Sequence, residues 1–393
     1  MRVAYLCADP GVPVFGRKGC SIHVEELIRA LQRNGAQVEL FATSRQGDPP
    51  LDFESVRIHK FTALPKGEPA TREQAALAAN HDARSALARA GPFDLVYERY
   101  SLWSFAGMEY ARTLNVPGVL EVNAPLIEEQ AEHRGLVDRA NAERVAERVF
   151  GAATVLIAVS EAIAAHLERY PATRGRVHVL PNGVNPDRFP AGLKPAYPAQ
   201  PGTFTVGFVG TLKPWHGLAV LVEAFALLHR RDPKSRLLIV GDGPERENLV
   251  ADLSARKLLE AVHLTGAVAS GQVPGWLASM DVAVAPYPKL LHFYFSPLKV
   301  FEYMATGRPV VASRIGQLAR LIEDEVTGLL CPAGDPAALA AALDRLRREP
   351  ELRARLGQAA RASVLRDHTW HMIAQRILHL AGLEPASLLV SQR

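Results

Sequence analysis

The sequence lacks the residue spacings that bind catalytic metals or build disulfide frameworks. Its 393 residues hold three cysteines, Cys7, Cys20 and Cys331, far apart and in no ligand spacing. That excludes a cysteine-rich zinc site and fits reduced thiols in the cytoplasm. There is no Asp-X-Asp, no HExxH and no histidine cluster, so no bound metal is expected. No apolar run approaches the ~20 residues of a spanning helix. Met1-Arg2-Val3-Ala4-Tyr5-Leu6-Cys7 reads as a short strand rather than a leader with a cleavage site. A cytoplasmic location follows as an expectation, with peripheral contact at the inner face of the membrane left open. Strong charge is missing too: a net +4 allows an acidic substrate or transient contact with anionic lipid but does not point to nucleic acid. Neither GxGxxG nor GxxxxGK[ST] occurs, which weighs against a dinucleotide dehydrogenase and a P-loop NTPase.

What is present is the composition of a soluble globular chain, 48% hydrophobic and 22% charged, too long for one core, so two domains are expected. The first half alternates strand and helix. Strands are expected at 3–8, 38–42, 56–61, 95–97, 118–122, 154–159 and 177–180, and helices at 21–33, with Ser21 as cap, and 73–90. Residues 187–203 are rich in Pro, Gly and Ala without periodicity and read as a linker. The alternation then restarts, with strands at 204–209, 236–240, 262–264, 282–286 and 309–312. Helices are expected near 219–230, 245–256, 272–280, 317–323, 337–347 and 352–366, and a last amphipathic helix at 370–380. The reading is an α/β chain of two Rossmann-like, doubly wound domains, 1–186 and 204–368, with 369–393 crossing back to the first. Ligands in such sheets bind beyond the carboxyl ends of the strands. There stand Gly16, Gly19, Glu98, Arg99, Asn123 and Ser160 in the first half, and Gly210–Gly217, Asp242-Gly243-Pro244 and Ser296–Glu302 in the second. A cleft between the domains is the corresponding expectation.

The most informative stretch runs from Ser296 to Ser313. Ser296 suits an N-cap, Pro297 the first helical position, Gly307 the helix end, and Pro309-Val310-Val311-Ala312 a strand covered on both faces. Lys299 is the odd residue, because a cation in the first turn opposes the positive helix N-terminus. The conflict relaxes if an anion sits there and shares the free backbone N–H groups of the first helical turn with the ammonium. Glu302 lies on the same face one turn deeper and could accept two vicinal hydroxyls. A surface i,i+3 pair is the competing reading, and these two residues alone do not separate the two. Gly210-Thr211-Leu212-Lys213-Pro214-Trp215-His216-Gly217 has the position of a loop that wraps phosphate, with Lys213 supplying charge. Gly16 and Gly19 could free the backbone for a ligand's approach or simply shape their loop. His23 reads as packing or capping, and Asp242 as a turn residue or a ligand contact.

Taken together these stretches resemble the retaining nucleotide-sugar glycosyltransferases of family 4, with the GT-B fold. The matching segments are Ala158-Val159-Ser160, Pro181-Asn182-Gly183-Val184, Phe208-Val209-Gly210, Val240-Gly241-Asp242-Gly243-Pro244, Asp281–Pro286 and Phe301–Val311. The family's Glu, seven residues, Glu pattern is half kept: Glu302 fits the second, and Tyr294 stands where the first would be. The usual Arg and Lys of the loop after the first strand of the second domain fall on Thr211 and His216, and a common histidine falls on Asn123.

The resemblance implies a metal-independent retaining glycosyltransferase with no cofactor beyond its donor, a UDP-, GDP- or other nucleoside diphosphate sugar. Lys299, Lys213 and the helix start at Ser296, Pro297 and Leu298 would face the diphosphate, and Glu302 the ribose. Gly210, Thr211, His216 and Gly243 would line the donor site, the Gly16–Gly19 loop would approach it, and Asn123 would position the sugar. The first domain would take a sugar, lipid-linked or small-molecule acceptor. A nucleotide-sugar 2-epimerase of the same fold and a non-catalytic sugar- or nucleotide-binding protein are the alternatives.

Overall fold

A computed structural model describes residues 1–383. The chain divides into two units: Met1–Asn182 with Tyr294–Ser296 and the helix from Trp370, and Gly183–Phe293 with Pro297–Thr369. The first unit opens with β1 (Arg2–Cys7), α1 (Gly19–Arg33), β2 (Gln37–Ala42), β3 (Arg57–Lys60) and α2 (Pro69–Ala90). It continues through β4 (Leu95–Arg99), α3 (Ala106–Thr113), β5 (Gly118–Val122), α4 (Leu126–His133) and α5 (Arg139–Ala152), and closes its sheet with β6 (Val155–Ala158), α6 (Glu161–Leu167) and β7 (Val177–Val179). All seven strands are parallel, in the order β3-β2-β1-β4-β5-β6-β7.

The second unit holds β8 (Thr205–Val209), α7 (Leu218–Arg231), β9 (Arg236–Val240), α8 (Arg246–Ala255), β10 (Val262–Leu264) and α9 (Val273–Ala278). After these come β11 (Val282–Ala285), α10 (Leu298–Ala305), β12 (Val310–Ser313), α11 (Leu318–Leu321), β13 (Leu329–Cys331), α12 (Pro336–Arg348) and α13 (Pro350–Asp367). Its parallel sheet has the order β10-β9-β8-β11-β12-β13. In both sheets the winding reverses beside the first strand, so the switch points lie between β1 and β4 and between β8 and β11. At such a point the loops leaving neighbouring strands part in opposite directions and leave room for a ligand.

The central strands are continuous apolar runs because helices cover both faces. Val3–Cys7 and Val282–Ala285 are fully buried. Each unit has its own core, one built around Leu6, Phe41, Leu120 and Phe150, the other around Phe208, Phe225, Ile239 and Leu343. The last helix, α14 (Trp370–Leu380), belongs to the first unit, where the buried Trp370 meets the His23 ring edge-on at 4.9 Å.

Some local expectations are corrected. α1 begins at Gly19, and the Ser21 hydroxyl donates to the Pro13 carbonyl (2.5 Å) instead of capping. α2 begins four residues early, at Pro69, whose fixed φ suits a first turn. The helices expected at 272–280 and 317–323 shrink to Val273–Ala278 and Leu318–Leu321. Ser296 caps nothing: its hydroxyl accepts the Asn182 N–H (2.9 Å) and its carbonyl the Asn182 side-chain amide (2.6 Å). Residues 187–203, read from composition as a linker, pack on the second unit, with Phe189 fully buried and Tyr197 stacked on His263 at 4.4 Å.

Candidate functional site

Three strand-end segments converge at the second unit's switch point. The loop after β8 is tied to the loop after β9 by backbone bonds from Gly210 N–H to Val240 O (2.9 Å), Leu212 N–H to Asp242 O (3.0 Å) and Glu245 N–H to Leu212 O (3.1 Å). Gly243 lies in the second of these loops, its N–H donating to Asp242 Oδ1 (2.8 Å). The third segment is the start of α10. Tyr303, fully buried, pins that helix to β8 by accepting the Val209 N–H (2.8 Å) and donating to the Val209 carbonyl (3.1 Å). One turn earlier on the helix, Lys299 is thereby aimed at Gly210.

Gly210 has φ +149°, and a Cβ there would stand 3.0 Å from Lys299 Nζ. Gly217 ends the loop at φ +70°, where a Cβ would lie 1.8 Å from the Pro286 carbonyl oxygen. Glycine alone readily adopts the Gly210 φ and lets the Gly217 backbone come so close to Pro286.

Lys299 is the anomaly of this site. Its Nζ is buried and has no hydrogen-bond partner among the described residues. It lies 4.3 Å from the centre of the Phe208 ring and 5.5 Å from that of Tyr287. Burial drives its pKa down from the ordinary 10.5 to about 7. Buried ammonium groups are costly unless paired. Aromatic faces offset part of that cost, and a bound anion would supply the missing partner. The helix start adds N–H groups that have no carbonyl a turn behind them.

His216 contributes no positive charge. Burial first, then the neighbouring Lys299, hold its pKa down to about 3. The ring is therefore neutral, and with Nδ1–H donating to the Thr211 carbonyl (2.6 Å) its Nε2 is left as an acceptor. Thr211 itself is exposed. Lys213 lies over the Trp215 ring at 5.5 Å. Glu302, one turn into α10, accepts from Arg188 through Oε1 (2.9 Å), and Arg188 also donates to the Ser270 carbonyl (3.0 Å). Arg188 is a site residue the sequence reading missed. It lies 114 positions from its partner, and no local pattern links the two.

The first unit's switch point is occupied by a buried polar cluster. His23 Nε2 stands 2.7 Å from Glu121 Oε1, and Arg99 lies 3.8 Å from the other Glu121 oxygen and donates to the Asn123 side-chain oxygen. Burial raises the Glu121 pKa, but His23, Arg99 and the Asn123 amide outweigh it, leaving the carboxyl below its ordinary value. Beneath lie Tyr5 and Tyr97, stacked at 5.0 Å. Asn123 is thus engaged by this cluster. Gly16 folds back within its own loop, donating its N–H to the Pro13 carbonyl (3.0 Å), and Gly19 is the exposed first residue of α1. Tyr294, at the position of the missing glutamate, clusters with the first unit and donates to Glu129 (3.3 Å). Among the described residues no group of three or more His, Cys, Asp or Glu side chains could hold a metal ion, and no helix is long and apolar enough to cross a membrane.

Comparison with known proteins bears on this geometry. The profile of the glycosyl transferases group 1 matches residues 203–349, and that of glycosyltransferase family 4 matches residues 17–188. The chain is 31% identical to a D-inositol 3-phosphate glycosyltransferase of Arthrobacter sp. (strain FB24), over 87% of this chain and 85% of the relative. It is 30% identical to the protein of that name from Streptomyces scabiei, over 88% and 82%. Among solved structures, the sucrose-phosphate synthase of Thermosynechococcus elongatus superposes with a TM-score of 0.76 at 23% identity, covering 99% of both chains. Anabaena HepE in complex with UDP-glucose superposes with a TM-score of 0.72 at 19% identity, over 97% of this chain and 99% of that one. These two likenesses support the GT-B fold.

Proposed function

The chain is a glycosyltransferase that belongs to family 4, and from that premise we propose that it moves a sugar from a nucleoside diphosphate sugar to an acceptor hydroxyl, with retention and without a bound metal. The observation that carries this reading is the buried, unpartnered Lys299 ammonium at the convergence of three strand-end loops. The anomeric C–O bond to phosphate breaks while a new C–O bond forms on the same face. Negative charge grows on the departing diphosphate, and the acceptor's proton passes to a leaving phosphate oxygen. Lys299, the start of α10 and the Gly210–Gly217 loop with Lys213 face that charge from fixed positions, so no reorganisation is needed as the bond breaks. Glu302, held on one oxygen by Arg188, receives the ribose hydroxyls. Asn123, held by Arg99, keeps a positioning role toward the sugar, and the first unit takes the acceptor. HepE, whose solved complex contains UDP-glucose, gives a precedent for such a donor on this fold.

A thermal-shift panel of nucleoside diphosphates and their sugars tests the reading. A ligand at about 100 times its dissociation constant adds ~2.7 kcal/mol to stability. At least one nucleoside diphosphate should raise the melting temperature, and Lys299→Met should diminish the rise. No shift with any of them would remove the donor assignment.

A further inference from the structure

The first unit carries a cavity of about 180 Å³, lined wholly by its own residues. It opens beside the Ala8–Gly11 segment after β1 and is bounded by α2, the Ser101–Ser104 turn after β4, and α4. Ala76, Ala79 and Ala83 of α2 leave the space, and Phe61, Leu102 and Trp103 contribute to its walls.

The chemistry of the wall is decided by which polar groups are already committed. Asn80 uses its whole amide: the nitrogen donates to Leu77 O (2.9 Å) and Trp103 O (2.8 Å), and the oxygen accepts from Phe105 N (2.8 Å) and Ala106 N (3.0 Å). Both Glu73 oxygens accept backbone N–H groups, from Val137 (3.0 Å) and Asp138 (2.9 Å). The Ser104 hydroxyl donates to Glu98 (2.5 Å), that of Thr43 to the Ala8 carbonyl (3.0 Å), and Arg134 pairs with Glu129 (3.2 Å). Asp9 accepts the Gly11 N–H through Oδ1 (2.7 Å), and Ser101 and Gln130 donate to the Arg99 and Gly135 carbonyls (3.3 Å each). A free sugar buried here would therefore meet few open polar groups, which is expensive, whereas carbon surface gains by leaving water. Arg72, exposed on the first turn of α2, is a lining cation.

We infer that this cavity takes the hydrocarbon part, one ring or one chain, of an amphiphilic acceptor that carries a phosphate or similar anion facing Arg72. The inference rests on the transferase reading above, and names the acceptor class that reading leaves open.

The test uses the full chain with decyl phosphate, kept below its micellar concentration, and glucose 6-phosphate as a probe of similar charge without the chain. Binding is measured by calorimetry for the native protein and for Ala79→Phe and Ala76→Leu, two independent ways of filling the cavity. Decyl phosphate should bind at least tenfold tighter than the sugar phosphate, and either variant should weaken it at least tenfold. Arg72→Ala should weaken decyl phosphate but not decanol. Equal or tighter binding of glucose 6-phosphate, or decyl phosphate binding unchanged in both folded variants, would overturn the inference. The nucleoside diphosphate melting shift, measured on the same samples, should be unaltered in all three variants. Its absence from the native protein would instead mark failure of the donor reading.

Discussion

If Lys299 awaits a diphosphate, donor binding must take up a proton. With a pKa of about 7 in the free protein, about one-tenth of Lys299 is charged at pH 8, and pairing with phosphate restores the rest, an uptake of roughly 0.9 proton. The ligand's own β-phosphate, with a second pKa near 6, is already ionised at that pH. Apparent affinity should therefore fall roughly tenfold for each pH unit above about 7, until the bound lysine itself titrates.

Stability of the unliganded protein moves the other way. Below pH 7 the lysine is charged in both states and its burial penalty is fully present. Between about 7 and 10.5 the unfolded chain holds a proton that the folded one lacks, so stability rises with pH. The limiting penalty is about 5 kcal/mol. Lys299→Met should flatten both curves and raise the melting temperature at pH 7. Calorimetric titration at pH 8 in buffers of different ionisation enthalpy reads the uptake directly. No net proton uptake, or affinity that is level from pH 7 to 9, would refute the reasoning.

Arg188→Ala removes the charged partner of Glu302. It should cost about 1–3 kcal/mol of stability and shrink the preference for a nucleoside diphosphate over its 2′,3′-dideoxy analogue, read by competition binding. Trp370→Ala empties a buried site against His23 and should lower unfolding free energy by about 3–5 kcal/mol, with nucleoside diphosphate affinity little changed. Turnover should survive strong chelation, since charge on the diphosphate is met by fixed cations; complete loss with EDTA, restored by Mn²⁺, would show otherwise.

The alternation of elements was legible because buried parallel strands must be apolar along their length, as in Val3–Cys7 and Val310–Val311. β13 was not, since its three residues, Leu329–Cys331, include no β-branched side chain, whereas the equally short β10 opens on Val262. Lys299 stood out in the sequence as a cation at the wrong end of a helix. Its burial did not, because Phe208 and Tyr287 come from distant segments that only the sheet brings together. The Ser296 cap failed for a similar reason: Asn182, 114 positions away, claims both its oxygens. Alanine-rich α2 reads as a helix from composition, and only its packing shows the small side chains lining a cavity.

Steady-state kinetics with the donor that the thermal-shift panel identifies tests the central claim most directly, on native protein, Lys299→Ala and Glu302→Ala. Lys299 faces charge that grows in the transition state, so its loss should lower kcat by about 10²–10³-fold with melting temperature at or above native. Glu302 makes contacts present before and during reaction, so its loss should mainly raise donor KM, by the equivalent of roughly 1.5–3 kcal/mol. Native kcat and KM in both variants, with small and equal stability losses, would contradict the assignment of the donor site.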